Sequence, residues 1–378
     1  LPGARVHQPV PRPLAYPSIV SDAQPMYDRI WRRLGYPFQQ QWKAAASATV
    51  GLFPTDSDGK VRPLPDQTRM TVPTILQSRM KALPFSPHDH TRDQDLLGGP
   101  GGTVYMDGAG PVIPSVVTQH TNYIGAICAA TGYARLNPCH GQSQAEAVGT
   151  LGMFIADVRA KIGQQNYRSP LVLRSDRGSA FIGHHFKEFV QMGGTQLSLA
   201  AAYVPQQRSY IERLWGTLFG TARVLLATAG LSVRFHPWAL TTACWIHNRL
   251  PSVRRDSKSP YERLTGRLPD LSRLHTFGCA VAVFKSSDER NKAKGIKKLT
   301  ADHAEFGVYM GPCEASPAQV VYLPARNRMV TAAHCLFNED SLPGTHNIQS
   351  TDWGPILDRA VADGSADPSP SSDAPLLP

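Results

Sequence analysis

The sequence predicts an α/β protein that begins with an irregular segment and ends in a small β-barrel. Residues 102–262 alternate strand-like and helix-like runs, as an α/β core does. Residues 263–340 contain short strand-like runs separated by turn residues, and this spacing indicates a barrel. Residues 49–101 are rich in Pro and Gly and show no regular pattern.

Hydrophobic periodicity places the elements of the α/β core. Strand-like runs cover residues 102–107, 123–128, 133–136, 171–176 and 195–200. Helical patterns cover 143–162, with Ser143 as the N-cap, then 184–193 and about 206–228. In the last of these helices one apolar stripe is expected to face the core. Its members are Ile211, Leu214, Trp215, Leu218, Ala222 and Leu225.

The flanking regions have simpler patterns. Residues 1–25 are rich in proline and are expected to be disordered, as are residues 341–378. Residues 26–48 carry a helical pattern with Tyr27, Ile30, Trp31 and Leu34 on one side. Four strand-like runs, at 280–284, 306–311, 320–323 and 329–331, build the predicted barrel.

Composition indicates the class of partner. The net charge of +10 favours binding to a polyanion. No apolar run approaches 18 residues, so we expect no membrane partner. The six cysteines form no CxxC pair and are expected to be reduced, as in an intracellular protein. Because the chain starts at Leu1, we expect a segment of a longer polyprotein.

Three carboxylates occupy positions where chemistry is expected. Asp107 and Asp176 each end a strand-like run, with 68 residues between them. Glu212 is separated from Asp176 by 35 residues and lies beside the apolar stripe of a helix. Such carboxylates supply the oxygen ligands that hard divalent cations prefer. Together they indicate a two-metal phosphoryl-transfer site, although each acid alone is equally compatible with a solvated surface charge.

Five ordered stretches resemble the integrase of copia-type retrotransposons. They are SDRGSAF at 175–181, PQQRSYIER at 205–213, NRLP at 248–251, SPYE at 259–262 and LHTFGC at 274–279. Asp107 is followed by Gly-Ala-Gly-Pro, which is similar to the family's D-x-x-G-P. The resemblance covers residues 99–340 and, in weakened form, extends back to residue 28.

The resemblance implies a fold and its boundaries. It implies an RNase H-like integrase catalytic core over 99–262 and an SH3-like β-barrel over 263–340. Residues 26–98 correspond to a degenerate zinc-finger-like region that precedes the core. Asp157, a competing acid, lies in an amphipathic helical pattern and is interpreted as a surface residue.

The resemblance also implies an activity. Asp107, Asp176 and Glu212 become the catalytic triad and the ligands of two Mg²⁺ or Mn²⁺ ions. The reaction is polynucleotidyl transfer, which joins element DNA 3′ ends to target DNA. Seven basic residues are then candidates for phosphate contacts, although each is equally compatible with a solvated charge. They are Arg174, Arg177, Arg208, Lys292, Lys294, Lys297 and Lys298.

The sequence departs from the family in its N-terminal zinc module. Trp31 and Tyr36 stand where the two histidines would fall, and Ile75 and Ser78 where the two cysteines would. All four tetrahedral ligands are replaced, so no zinc is predicted. In the core, Arg177 replaces the usual Asn, and the dipeptide at 208–209 is Arg-Ser where the family has Asn-Gly.

Three functions remain open from the sequence. The first is an active integrase that binds DNA, assembles as a homo-oligomer and arises from a retrotransposon polyprotein. The second is a catalytically decayed nucleic-acid-binding remnant, which the altered motifs favour. The third is an RNase H-like nuclease. The integrase interpretation implies a nuclear protein with a cytoplasmic stage in virus-like particles.

Overall fold

A computed structural model describes most of the chain between residues 24 and 344. The described residues are 24–37, 39–55, 61, 99–163, 165, 167, 169–199, 209–252, 256–285 and 303–344. Several predictions lie outside this set. They concern the first 23 residues, Ile75, Ser78, Arg208, the lysines at 292, 294, 297 and 298, and the tail from residue 345 onward.

A five-stranded mixed sheet forms the α/β core. Its strands are β1 (Thr103–Ala109), β2 (Asn122–Cys128), β3 (Ala134–Cys139), β4 (Val172–Ser175) and β5 (Gln196–Leu199). The order is β3-β2-β1-β4-β5. β1, β2 and β3 pair antiparallel, whereas β4 runs parallel to both β1 and β5. This mixed arrangement confirms the predicted α/β core.

Helices cover both faces of this sheet. They are α3 (Gln144–Ile162), α4 (Ser179–Ile182), α5 (His184–Met192), α6 (Ser209–Thr228), α7 (His236–Arg249) and α8 (Pro260–Thr265). α3 packs on β2 and β3, whereas α6 packs on β1 and β2. None of the helices in the described ranges is long and apolar enough to cross a membrane.

Side-chain alternation along β1 assigns each position to one face of the sheet. Val104 and Met106 pack in one buried cluster with residues of α3, and Tyr105 packs in another cluster with residues of α6. Successive strand residues point to opposite faces. Asp107, two positions after Tyr105, therefore faces α6. The apolar stripe predicted for α6 is buried in the same cluster as Tyr105.

A second sheet of five antiparallel strands follows the core. Its strands are β6 (Ala280–Phe284), β7 (Ala304–Pro312), β8 (Gln319–Leu323), β9 (Arg328–Ala332) and β10 (Cys335–Asn338). The order is β10-β6-β7-β8-β9. β10 was not predicted, and within the described residues no ladder joins β9 to β10. Closure of the predicted SH3-like barrel is therefore not observed, and the domain boundaries stay predictions.

The N-terminal pattern at 26–48 forms two helices. They are α1 (Gln24–Arg33) and α2 (Gln39–Ala48). Between them Gly35 and Tyr36 adopt positive φ, which a continuing helix does not allow. Trp31 and Tyr36, at the positions of the absent histidines, are buried edge to face with ring centroids 5.0 Å apart. Both residues belong to the same buried cluster as Leu225 of α6 and Ile246 of α7, so hydrophobic packing joins this region to the core.

A buried carboxylate ties the N-terminal helices to the second sheet. Glu339, just after β10, is 7% exposed and pairs with Arg33 of α1. It also accepts hydrogen bonds from the Thr276 backbone N–H at 2.8 Å and hydroxyl at 2.6 Å, and contacts His275 at 3.1 Å. Burial alone raises the pKa of Glu339, but these hydrogen bonds and the Arg33 charge hold it well below its usual range.

A second carboxylate joins the core to the second sheet. Glu314, after β7, forms ion pairs with Arg249 of α7 at 3.2 Å and with Lys161 of α3 at 3.0 Å. Burial raises the pKa of Glu314, but the two cations outweigh burial and lower it. The second sheet is therefore anchored through charges from two helices of the core.

Replacing Ser143 with Ala is expected to destabilise the protein modestly. Ser143 caps α3 in a capping box with Glu146: its hydroxyl accepts from the Glu146 N–H, and the Glu146 carboxylate accepts from the Ser143 N–H. The substitution removes the first of these acceptors and weakens the orientation of the second. The expected loss is about 1 kcal/mol, measured by urea unfolding. Ser47→Ala is the matched control, because Ser47 is exposed at the end of α2. An equal loss in both variants would contradict the capping role.

Candidate metal and phosphoryl-transfer site

Asp107 and Asp176 lie next to each other at the edge of the sheet where the parallel strands end. β1 and β4 pair in parallel, with Met106 opposite Ser175. Asp107 follows Met106 within β1, and Asp176 is the first residue after β4, so the two occupy neighbouring positions. Asp176 also follows Arg174 by two positions, and Arg174 lies over the Tyr105 ring on the α6 face. The pleat therefore directs Asp107 toward α6, and Asp176 begins the turn beside it.

The first turns of α6 are fixed onto this edge by two aromatic contacts. The Trp215 indole N–H donates to Asp107 Oδ2 at 3.2 Å. The Tyr210 ring stacks on Tyr105 at a centroid distance of 5.3 Å. Both partners lie on β1, so the start of α6 stands directly above the end of that strand.

Glu212 lies in the first turn of α6 and is exposed. It precedes Trp215 by three residues, and residues three apart lie on the same side of a helix. Within the described ranges, no three His, Cys, Asp or Glu side chains form a group that could hold a metal ion. The structure thus brings the two aspartates to neighbouring positions and leaves Glu212 nearby but outside a ligand group. The triad stays a prediction.

The turn after β4 holds Asp176 by a local hydrogen bond. The Gly178 N–H donates to Asp176 Oδ1 at 2.8 Å. A Cβ at Gly178 would lie 2.9 Å from that oxygen, so a side chain there would displace the carboxylate. Asp176 is partly exposed, so its carboxylate remains accessible to solvent.

Three residues at the site were not predicted as part of it. Trp215 contacts Asp107 directly, and Gly125 makes room for the Trp215 ring. Gln142 packs its amide on Gly108, where an added Cβ would lie 2.4 Å from its Oε1. Gly108 and Gly125 each lie inside a strand, and a glycine there often marks a place where another group approaches the backbone closely. This is the feature of the sequence that could have indicated these contacts. Trp215 carried no such signal, because its position fits a core stripe.

The predicted phosphate contacts differ in accessibility. Arg177 is exposed beside Asp176. Arg174 is half-buried, and its guanidinium donates to the Tyr105 hydroxyl at 3.0 Å. Their roles on DNA stay predictions.

Asp157 is not the surface residue that the helical pattern suggested. Its carboxylate pairs with Arg135 at 2.9 Å, and the side chain is 20% exposed. Burial raises the pKa of Asp157, while Arg135 and Lys161 oppose that shift. Asp157 lies at a cavity of about 220 Å³ between α3, α7 and the second sheet, lined also by Glu314 and Trp245. It therefore belongs to a structural ion pair.

The chain is similar in sequence to polyproteins of transposons. No family model matches the chain. The chain is 25% identical over 171 residues to the retrovirus-related Pol polyprotein from transposon RE2 of Arabidopsis thaliana, covering 45% of this chain and 11% of the relative. It is 23% identical over 200 residues to that of transposon TNT 1-94 of Nicotiana tabacum, covering 53% and 14%. These relatives are Pol polyproteins of copia-type plant transposons. The predicted resemblance is confirmed.

These homologues are much longer than the matched region. The chain spans 11% to 14% of the length of the two plant polyproteins. A third relative, the Pro-Pol polyprotein of feline foamy virus, is 30% identical over 109 residues, which is 29% of this chain and 8% of that protein.

Two solved structures are also similar. The HTLV-2 integrase catalytic core domain in complex with magnesium is 17% identical with a TM-score of 0.34, covering 44% of this chain and 97% of that one. The simian T-cell lymphotropic virus intasome in complex with a PP2A regulatory subunit is 15% identical with a TM-score of 0.37, covering 62% and 76%.

Proposed function

We propose that this protein is a retrotransposon integrase, a polynucleotidyl transferase that joins element DNA 3′ ends to target DNA. The observation that carries the proposal is that Asp107 of β1 faces the helix that bears Glu212 and lies beside Asp176, the first residue after the parallel strand β4. The homology to Pol polyproteins supports the proposal, because such polyproteins contain the functions of a mobile element.

The donor set fits hard divalent cations. Asp107, Asp176 and Glu212 offer only carboxylate oxygens, which suit Mg²⁺ or Mn²⁺. When bound, two ions would neutralise charge at the attacking 3′-hydroxyl and at the leaving oxygen. The chain itself orients the carboxylates: the Gly178 N–H holds Asp176 and the Trp215 N–H holds Asp107. Catalysis then rests mainly on positioning and charge stabilisation, without a covalent protein intermediate.

The proposed substrate is DNA, held largely through its phosphates. The net charge of +10 favours a polyanion, and Arg177 is exposed beside the proposed metal ligand Asp176. Arg174, Arg208 and the lysines at 292, 294, 297 and 298 complete the proposed contact set. We further propose a homo-oligomer as the active form and a nuclear location with a cytoplasmic particle stage.

A second candidate is a nucleic-acid-binding remnant without turnover. Two observations favour it. Glu212 is exposed and does not form a ligand group with the aspartates in the described part of the chain. Aromatic residues also occupy the positions of two zinc ligands in the N-terminal region. Such a protein would keep its basic surface and bind DNA.

The test is strand transfer of a labelled DNA end into a plasmid. We expect joined product with Mg²⁺ or Mn²⁺ and none with a chelator. Salt-sensitive DNA retention without product would support the remnant. Cleavage of an RNA–DNA hybrid without DNA joining would instead support an RNase H-like nuclease.

A further inference from the structure

We propose that Trp215 is a positioning residue that sets the orientation of the Asp107 carboxylate for metal binding. This inference rests on the proposed function, because it assigns Trp215 a role at the same site. Trp215 touches the proposed ligand and not the substrate, so it acts through Asp107.

The indole of Trp215 packs closely on the sheet because Gly125 has no side chain. Gly125 of β2 lies directly opposite Asp107 in the antiparallel ladder. A Cβ at Gly125 would lie 2.9 Å from the nearest carbon of the Trp215 six-membered ring. The ring therefore occupies the space above Gly125, beside the Asp107 backbone. Trp215 is 7% exposed, so this packing is largely dry.

A second aromatic ring supports the indole from within α6. Phe219, one turn later, lies with its centroid 5.9 Å from that of Trp215. The indole is thus confined between Gly125 and Phe219. Its N–H reaches Asp107 Oδ2 at 3.2 Å from this confined position. A donor that cannot rotate away fixes the rotation of the carboxylate that accepts its hydrogen bond.

The same contact also sets the position of Glu212. Trp215 joins α6 to β1, and Glu212 lies one turn before it on the same side of the helix. Movement of the indole would therefore change both the Asp107 carboxylate and the distance of Glu212 from the strand ends. Hydrogen-bond partners of metal ligands typically contribute 10- to 100-fold to metal affinity.

Trp215→Phe tests this role, because Phe keeps a ring above Gly125 and removes the N–H donor. In the full chain we expect the dissociation constant for Mn²⁺ alone, measured by calorimetry, to rise about 10- to 100-fold. The Mn²⁺ concentration for half-maximal strand transfer should rise in parallel. Trp238→Phe is the matched control, since Trp238 is partly buried and packs on Phe235.

Gly125→Ala tests the packing independently of the N–H group. The added methyl group overlaps the indole and should displace it from Asp107, so Mn²⁺ affinity should also fall. Thermal unfolding without metal shows whether either variant is folded. Mn²⁺ binding by each variant is measured at a temperature at which that variant is folded.

The outcomes separate this inference from the proposed function. If Asp107→Asn abolishes Mn²⁺ binding while Trp215→Phe and Gly125→Ala bind like wild type, the positioning role is wrong and the metal site stands. If wild type binds no Mn²⁺ or Mg²⁺, both the proposed metal site and the role of Trp215 are overturned.

Discussion

Asp176→Asn is expected to abolish strand transfer, with a loss of at least about 10³-fold. Removing one carboxylate charge from a divalent metal site forfeits several kcal/mol of transition-state stabilisation, and each ~1.4 kcal/mol corresponds to tenfold in rate. The fold should persist, because Asp176 is partly exposed and accepts a local hydrogen bond from the Gly178 N–H, two residues later. Joined product per unit time, measured at equal protein concentration, gives the effect.

The matched control for this variant is Asp256→Asn. Asp256 is exposed in the turn before α8 and adopts a positive φ that Asn also tolerates. The control removes the same charge and should keep strand transfer and DNA binding near wild type. If both variants lose activity to the same degree, the effect belongs to net charge and the assignment of Asp176 is wrong.

Glu339→Gln is expected to cost about 3–5 kcal/mol of unfolding free energy. The variant leaves Arg33 in a largely buried site without its anionic partner, and removing one member of a buried pair is strongly destabilising. It also weakens the hydrogen bonds from Thr276. Because Glu339 joins α1 to the second sheet, urea unfolding followed by fluorescence should show a lowered midpoint.

The contribution of Glu339 is expected to depend on pH. Its pKa is lowered in the folded protein, so the unfolded chain takes up a proton first as the pH falls. The stabilisation is fully present above the ordinary glutamate pKa of about 4.3 and is lost as the pH falls toward the lower folded value. The difference in unfolding free energy between wild type and Glu339→Gln should therefore shrink below about pH 4.3.

Asp340→Asn provides the neighbouring control. Asp340 pairs with Arg29 at 2.9 Å, but its side chain is 67% exposed. Exposed ion pairs contribute about 0–1 kcal/mol, so this variant should be near wild type. An equal loss in both variants would refute the stabilising role of the buried Glu339–Arg33 pair. So would a difference in unfolding free energy between wild type and Glu339→Gln that does not change with pH.

The paired aspartates could be predicted from the sequence because their signal is local. Each closes a short strand-like run in the sequence, and parallel strands bring such positions to one edge of a sheet. The capping of α3 by Ser143 was predictable for the same reason. The burial of the α6 stripe followed from its helical period, and the structure confirms it.

Other features depend on tertiary packing that no local pattern encodes. Most residues of α7 are buried, so it has no polar face and its sequence lacks an amphipathic period. β10 has only four residues, too short for a clear alternation. Glu339 follows that strand, and its burial depends on Arg33 and Thr276, which are distant in sequence. The contact between Trp215 and Asp107 requires Gly125, which is distant in sequence from both.

The most direct test is to locate manganese in crystals of the full chain grown with Mn²⁺, using anomalous scattering. We predict a peak coordinated directly by carboxylate oxygens of Asp107 and Asp176, with Glu212 drawn toward it. A peak that avoids both aspartates, or no peak at that edge of the sheet when Mn²⁺ is bound elsewhere, would contradict the proposed metal site and the integrase chemistry built on it.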